Sequence, residues 1–401
     1  MSGSDVVAPE ILTATERLLQ ELCAISSESG NASGIRIVAE MLERALTPHG
    51  LAVEIVDEPD AHGLPQPVLI ARGPSSGAAH LLLLGHMDTV LPAIEPSVEG
   101  RTLFATGSYD MKGGLAMFCG ALDVLAARGT ALPPDLLVVL VPDEESESLI
   151  SGQAAERWSR GARAVLVLEP GQATAEGETL VAGRRGMMEW KLDVRGRASH
   201  SGLAYWSGRS ALAAAAEWCS LAQAASRRGN GPTVNVGRIV GGSTDFVDNL
   251  AQHNAMLGSA RQLNVVSDRA VAEGELRFLT AADGQAMRDE LQRLAADVAA
   301  RHETEISFSV GMHVPPVDPH GPGAPLIQRT VDLAARRGFR LDVEEDRGGI
   351  SFPNFIADPA STPVIDGLGP AGYGMHIRGE YVDLDSLGRR IALLADLLPT
   401  L

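Results

Sequence analysis

The stretch HLLLLGHMDTV, His80–Val90, decides how the rest of the chain is read. Four consecutive leucines match a strand buried on both faces, as in parallel sheets. The run ends in Gly85, His86, Met87 and Asp88. Side chains two apart on an extended segment face the same side, so His86 and Asp88 project together. Ligand sites in open α/β sheets gather at the carboxyl ends of strands. A carboxylate beside an imidazole is the usual partner of a metal-bound histidine. A histidine that merely satisfies its hydrogen bonds at a strand end explains this spacing about as well.

Other segments shift the balance. DLLVVLV, Asp135–Val141, runs into Pro142 and three acids, Asp143, Glu144 and Glu145. RAVLVLE, Arg163–Glu169, is a third apolar run, and it ends in Glu169. GSYDMKGG places Asp110 between a glycine-rich turn and a helix start, where Gly113 and Gly114 suggest close backbone approach. GYGMHIRGEYV offers His376 in a glycine-rich loop. Singly, Asp110 reads as a helix cap and the acids as a solvated loop. Together, three strand ends of one parallel sheet would bring two histidines and three carboxylates to one place. That set suits one or two divalent ions, with zinc favoured and manganese or cobalt as alternatives. Such ions acidify water to near neutrality and polarise a carbonyl oxygen. A further free carboxylate could then manage protons.

The 401 residues suggest two or three domains. Hydrophobic residues make up 45%, enough for sizeable cores. With 33 Lys plus Arg against 51 Asp plus Glu, the formal charge is −18, which argues against nucleic acid or an anionic membrane as partner. Three widely spaced cysteines, Cys23, Cys119 and Cys219, form no CxxC pair. A reducing compartment is therefore expected. The first twenty residues lack a signal-peptide pattern, and no apolar run approaches the ~20 residues of a membrane span. The expected setting is the cytoplasm.

Helical spacing is read over Ala8–Cys23, Ile35–Gly50, Gly114–Ala127 and around Gln153–Ser159, alternating with apolar strands. This predicts an α/β/α domain with a mixed sheet. Near residue 182 the pattern changes. GMMEWKLDVRG alternates polar and apolar, and the elements after it follow a β-α-β-β-α-β order, a ferredoxin-like sandwich. The expected division is a catalytic domain of 1–181 plus 312–401, interrupted by an α+β domain at 182–311.

The ordered set GHMDTV, GSYDMKGG, PDEESES, VLVLEP and GMHIRGEYV resembles the dinuclear metallohydrolases of the aminoacylase, glutamate carboxypeptidase and succinyl-diaminopimelate desuccinylase type. The resemblance spans nearly the whole chain and implies a zinc-peptidase-like catalytic domain with an inserted dimerisation domain. It implies that His86 and Glu169 bind one metal, that Glu145 and His376 bind the other, and that Asp110 bridges them. Asp88 would orient His86, and Glu144 would be the general base. In the inserted domain, GRASHSG implies that His200 steadies the oxyanion across a dimer. LNVVSD and ELRF imply that Asn264 and Arg277 contact the substrate carboxylate.

Three departures from that pattern stand out. Relatives carry GG-Ser/Thr-Asp where this chain has RGGISFPNF, Arg347–Phe355, with no acid. The segment from Gly241 to Val266 is longer than the family's short link, as a lid or binding loop would be. Arg378, two residues past His376, could add a cation near the metal. The expected reaction is hydrolysis of a C–N bond in a small carboxylate-bearing substrate. An aromatic one would pack near Phe352 and Phe355. The alternatives are hydrolytic deamination of an electron-poor aminobenzoate on the same centre, and an inactive relative that only binds. The expected assembly is a homodimer or higher homo-oligomer.

Overall fold

In a computed structural model the chain is described over residues 7–75, 80–146, 148–253 and 264–401. It divides into two compact units. One comprises 1–183, 319–347 and 351–401, and the other 184–318 and 348–350. The second unit thus runs past the expected end at 311, because its last strand, Glu305–Val314, is longer than the apolar pattern indicates. Three residues of the glycine-rich 348–350 segment join it as well.

The first unit is built on a six-stranded sheet. Its order is Ala52–Pro59, Pro65–Arg72, Leu136–Val141, His80–His86, Ala162–Val167 and Val364–Ile365. The four strands from Leu136–Val141 onward pair in parallel, and the first two are antiparallel, so the sheet is mixed. Every residue of His80–His86 and Leu136–Val141 is buried, which is why both read as unbroken apolar runs. Leu81 and Leu83 pack under the helices Pro9–Cys23, Ala32–Leu46, Lys112–Ala127 and Leu384–Leu397. Leu82 and Leu84 pack on the other face, against Ile150 and Ala154 of the helix Leu149–Ser159 and against Phe352.

Register decides where the site falls. His86 lies opposite Val141, and Leu84 lies opposite Val167. The period of two carries the Leu82–Leu84 row on to His86 and the Val165–Val167 row on to Glu169, on one face. Gly113 and Gly114 serve packing. An added Cβ would lie 2.5 Å from the Ser108 carbonyl oxygen in one case and 2.3 Å from that of Leu168 in the other.

The second unit holds an antiparallel sheet ordered Thr233–Gly242, Arg269–Phe278, Gly186–Arg195 and Glu305–Val314. The helices Ala211–Ala224 and Ala281–His302 cover one face. Met188, Trp190, Leu192 and Val194 point into that core, while Glu189 and Lys191 are exposed between them. Trp190 meets Trp218 edge-on at 5.0 Å. Such a pair adds about 0.5–1.5 kcal/mol beyond the area it buries. The long segment expected as a loop contains a helix, Thr244–His253, and its remaining part, 254–263, lies outside the described residues.

Candidate metal centre

His86 closes its strand with no exposed surface. Its Nδ1 lies 3.0 Å from the Asp88 carbonyl oxygen and 3.3 Å from Asp88 Oδ1, so two acceptors hold that nitrogen as N–H. The opposite nitrogen, Nε2, is 3.3 Å from Asp110 Oδ1 and 3.8 Å from Glu169 Oε1. Asp88 also fixes the acidic loop. Its carboxylate accepts the backbone N–H of Glu144 at 3.2 Å and of Glu145 at 3.1 Å, and the Ser29 hydroxyl at 2.6 Å. This buried aspartate therefore ties the end of one strand to the loop after its neighbour.

The three consecutive acids part ways. Asp143 turns inward and caps the helix Leu149–Ser159, accepting from the N–H groups of Ile150 at 2.8 Å and Ser151 at 2.9 Å. Glu145 Oε2 sits 2.9 Å from His376 Nε2. Glu144 forms a group with His86 and Glu169 in which one ligand atom from each lies within 4.8 Å of the others. His86, Asp110 and Glu145 form a second such group. Asp110 joins the two sides, with Oδ1 toward His86 and Oδ2 3.4 Å from His376 Nε2.

Asp110, Glu144, Glu145 and Glu169 crowd against two imidazoles. Burial and the nearby Glu169 push the Glu144 carboxyl well above the usual range. Burial and Asp110 push Glu145 up as well. Burial favours a neutral His86, but hydrogen bonds to Asp110 and Asp88 outweigh it and raise its pKa. His376, bonded to Asp110 and Glu145, is raised to about 10. Two imidazoles and oxygen donors at these spacings are the donor set of zinc, manganese or cobalt, so the residues present fit such ions.

Two residues escaped the sequence reading. Glu380 is buried and accepts three N–H groups of the Asp110 turn, from Gly107 at 2.8 Å and from Tyr109 and Asp110 at 2.9 Å each. Burial pushes its carboxyl up to about 7. The available signal was an acid four residues after His376, next to a strand. Lys112 is also buried, and its ammonium donates to the carbonyls of Leu22 and Ile25.

One expectation is overturned. Phe352 is 1% exposed and packs in the core against the sheet, and Phe355 lies over Gly152 of the neighbouring helix. Phe352 therefore offers no wall to a substrate. The segment's contribution to the site is Ser351, whose hydroxyl donates to Glu169 Oε1 at 2.9 Å. Arg378 is exposed two residues beyond His376.

In the second unit His200 is exposed, and its Nδ1 accepts the N–H groups of Gly202 and Leu203 at 3.1 and 3.2 Å. Nδ1 thus serves as an acceptor, which leaves Nε2 as the ring's donor nitrogen. Asn264 is exposed on the adjoining segment, where its backbone carbonyl accepts the Ser201 N–H at 2.9 Å. Arg277 pairs with Glu275 at 2.9 Å.

The sequence profile of peptidase family M20/M25/M40 matches residues 82–400. The chain belongs to this family. It is a metal-dependent hydrolase acting on amide or peptide bonds. Among M20/M25/M40 relatives, carboxypeptidase G2 of Pseudomonas sp. (strain RS-16) is 27% identical over 388 residues, covering 95% of this chain and 88% of that protein. The succinyl-diaminopimelate desuccinylase of Methylocella silvestris is 25% identical, covering 90% of this chain and 91% of its own length. The aminopeptidase PepT of Bacillus cereus shares the fold with a TM-score of 0.75 at 21% identity, over 96% of this chain and 98% of that one.

Proposed function

We propose that this M20 hydrolase cleaves the C–N amide or peptide bond of a small carboxylate-bearing substrate. One observation carries the reading: Asp110 offers one oxygen to each of two histidines, with Glu144 half-buried beside them. In this reading His86 and Glu169 hold one divalent ion, zinc in the first instance and manganese or cobalt otherwise. Glu145 and His376 hold a second, and Asp110 lies between. Bound there, the ions supply an acidified water and a polarised substrate carbonyl. Glu144 takes the water proton on its carboxylate and returns it to the leaving nitrogen, a task suited to an acid whose pKa burial has raised.

The other assignments extend the same reading. His200 presents its Nε2–H to the developing oxyanion from a partner subunit, and Asn264, Arg277 and Arg378 receive the substrate carboxylate. Self-association is supported by the exposed Leu203, Tyr205 and Trp206 beside His200, with Leu203 and Trp206 87% and 88% exposed. Three buried, unpaired cysteines support a reducing, cytoplasmic setting. No helix among the described residues is long and apolar enough to cross a membrane. For the deamination reading, Phe352 lies in the core and is withdrawn from aromatic contact, while Phe355 is half-buried.

Glu144→Gln tests the central role. Turnover should vanish across a panel of N-acyl amino acids, dipeptides and aminobenzoates scored for released amine or ammonia, while metal content stays at the wild-type level. Retained turnover would refute the proton-handling role. A drop in metal content would instead move Glu144 into the ligand set.

A further inference from the structure

Ser351 is 3% exposed, yet its hydroxyl has a charged partner, Glu169 Oε1, at 2.9 Å. The same oxygen is the one that faces His86 Nε2 at 3.8 Å. The local fold builds this contact firmly. Asn354 Oδ1 accepts the Ser351 backbone N–H at 3.1 Å, and the Ser351 side chain in turn receives the N–H at the other end of that short turn. Phe352 anchors the turn in the core, against the sheet that ends in His86 and Glu169. A hydroxyl buried this deeply is costly unless it is bonded, and a bond to a carboxylate is stronger than one between neutral groups.

We propose that Ser351 is a positioning residue for the ion held by His86 and Glu169. It fixes the rotation of the Glu169 carboxylate and draws charge from the oxygen nearest His86. It acts on one metal position only, since Glu145 and His376 pair with each other on the other side of Asp110. It does so without adding a fifth carboxylate to Asp110, Glu144, Glu145 and Glu169. The inference rests on the metal reading given above.

The test uses the full chain, stripped by a chelator and titrated with Co²⁺ while its visible absorption is followed. Wild type should take up Co²⁺ in two steps. Ser351→Ala should weaken one step about tenfold or more and change the absorption band of that step alone. Ser351→Thr, which keeps the hydroxyl, should restore both features. Two unchanged steps in Ser351→Ala overturn the inference. So does weakening of both steps that Ser351→Thr fails to repair, which marks a merely structural role. A wild-type chain that takes up no Co²⁺ overturns the metal reading itself.

Discussion

The two histidines of the centre arrive by opposite routes. His86 is the last residue of a buried strand, and its backbone N–H donates to Met111 Sδ at 3.2 Å. His376 stands on the turn between the strands Gly369–Tyr373 and Tyr381–Asp383, its side chain 49% exposed and its φ at +66°. One imidazole is therefore a by-product of sheet formation, positioned as soon as the core packs. The other is delivered by a short turn that the core does not enclose. Asp110 faces both, one oxygen to each.

Breaking that shared element should have the largest effect. Asp110→Asn removes the carboxylate that faces both histidines and leaves Glu169 and Glu145 one on each side, and activity should fall on the order of 10⁴-fold, as for residues that work as a unit. Wild-type metal content in this variant would show that the two sides do not depend on it. Next comes the contrast itself, read in the metal-free chain. His86→Ala leaves Asp88 and Asp110 without their buried partner and should cost about 3–5 kcal/mol of stability. His376→Ala, on the exposed side, should cost about 1 kcal/mol or less. Urea unfolding of both variants checks this, and equal losses would erase the distinction.

The smallest effect is a pH dependence confined to the His376 side. The folded pKa of about 10 lies above the ordinary imidazole value of about 6.5, so the protonated form is the one the fold favours. The stabilisation from Glu145 and Asp110 is then fully present below pH ~6.5 and is lost as pH rises through ~10. In the metal-free chain the Tm difference between wild type and His376→Gln should shrink across that window. A difference that grows with pH would reverse the assignment.

Much of the fold and centre was legible because the sheet announces itself. Unbroken apolar runs such as LLLL and LLVVLV occur where both faces are covered, and the candidate ligands follow them within a few residues. What stayed hidden depended on which way a chain turns after a strand. Asp143, Glu144 and Glu145 are chemically alike, and only the start of the next helix claims the first of them. SFPNF read as a substrate wall because its aromatic rings are conspicuous, yet burial takes the ring of Phe352 and leaves the serine at the site. Glu380 and Lys112 bond to backbone atoms of the Asp110 turn and of the end of the first helix and the segment after it, contacts that leave no periodic trace in sequence.

The Asp88 carboxylate grips the N–H groups of two successive residues, Glu144 and Glu145, while Asp143 is committed to the helix that follows. The run 143–145 is thus held from both sides. Inserting or deleting one residue there would slide each acid into its neighbour's place, handing the helix start to a longer side chain and the proton-handling position to the wrong carboxylate.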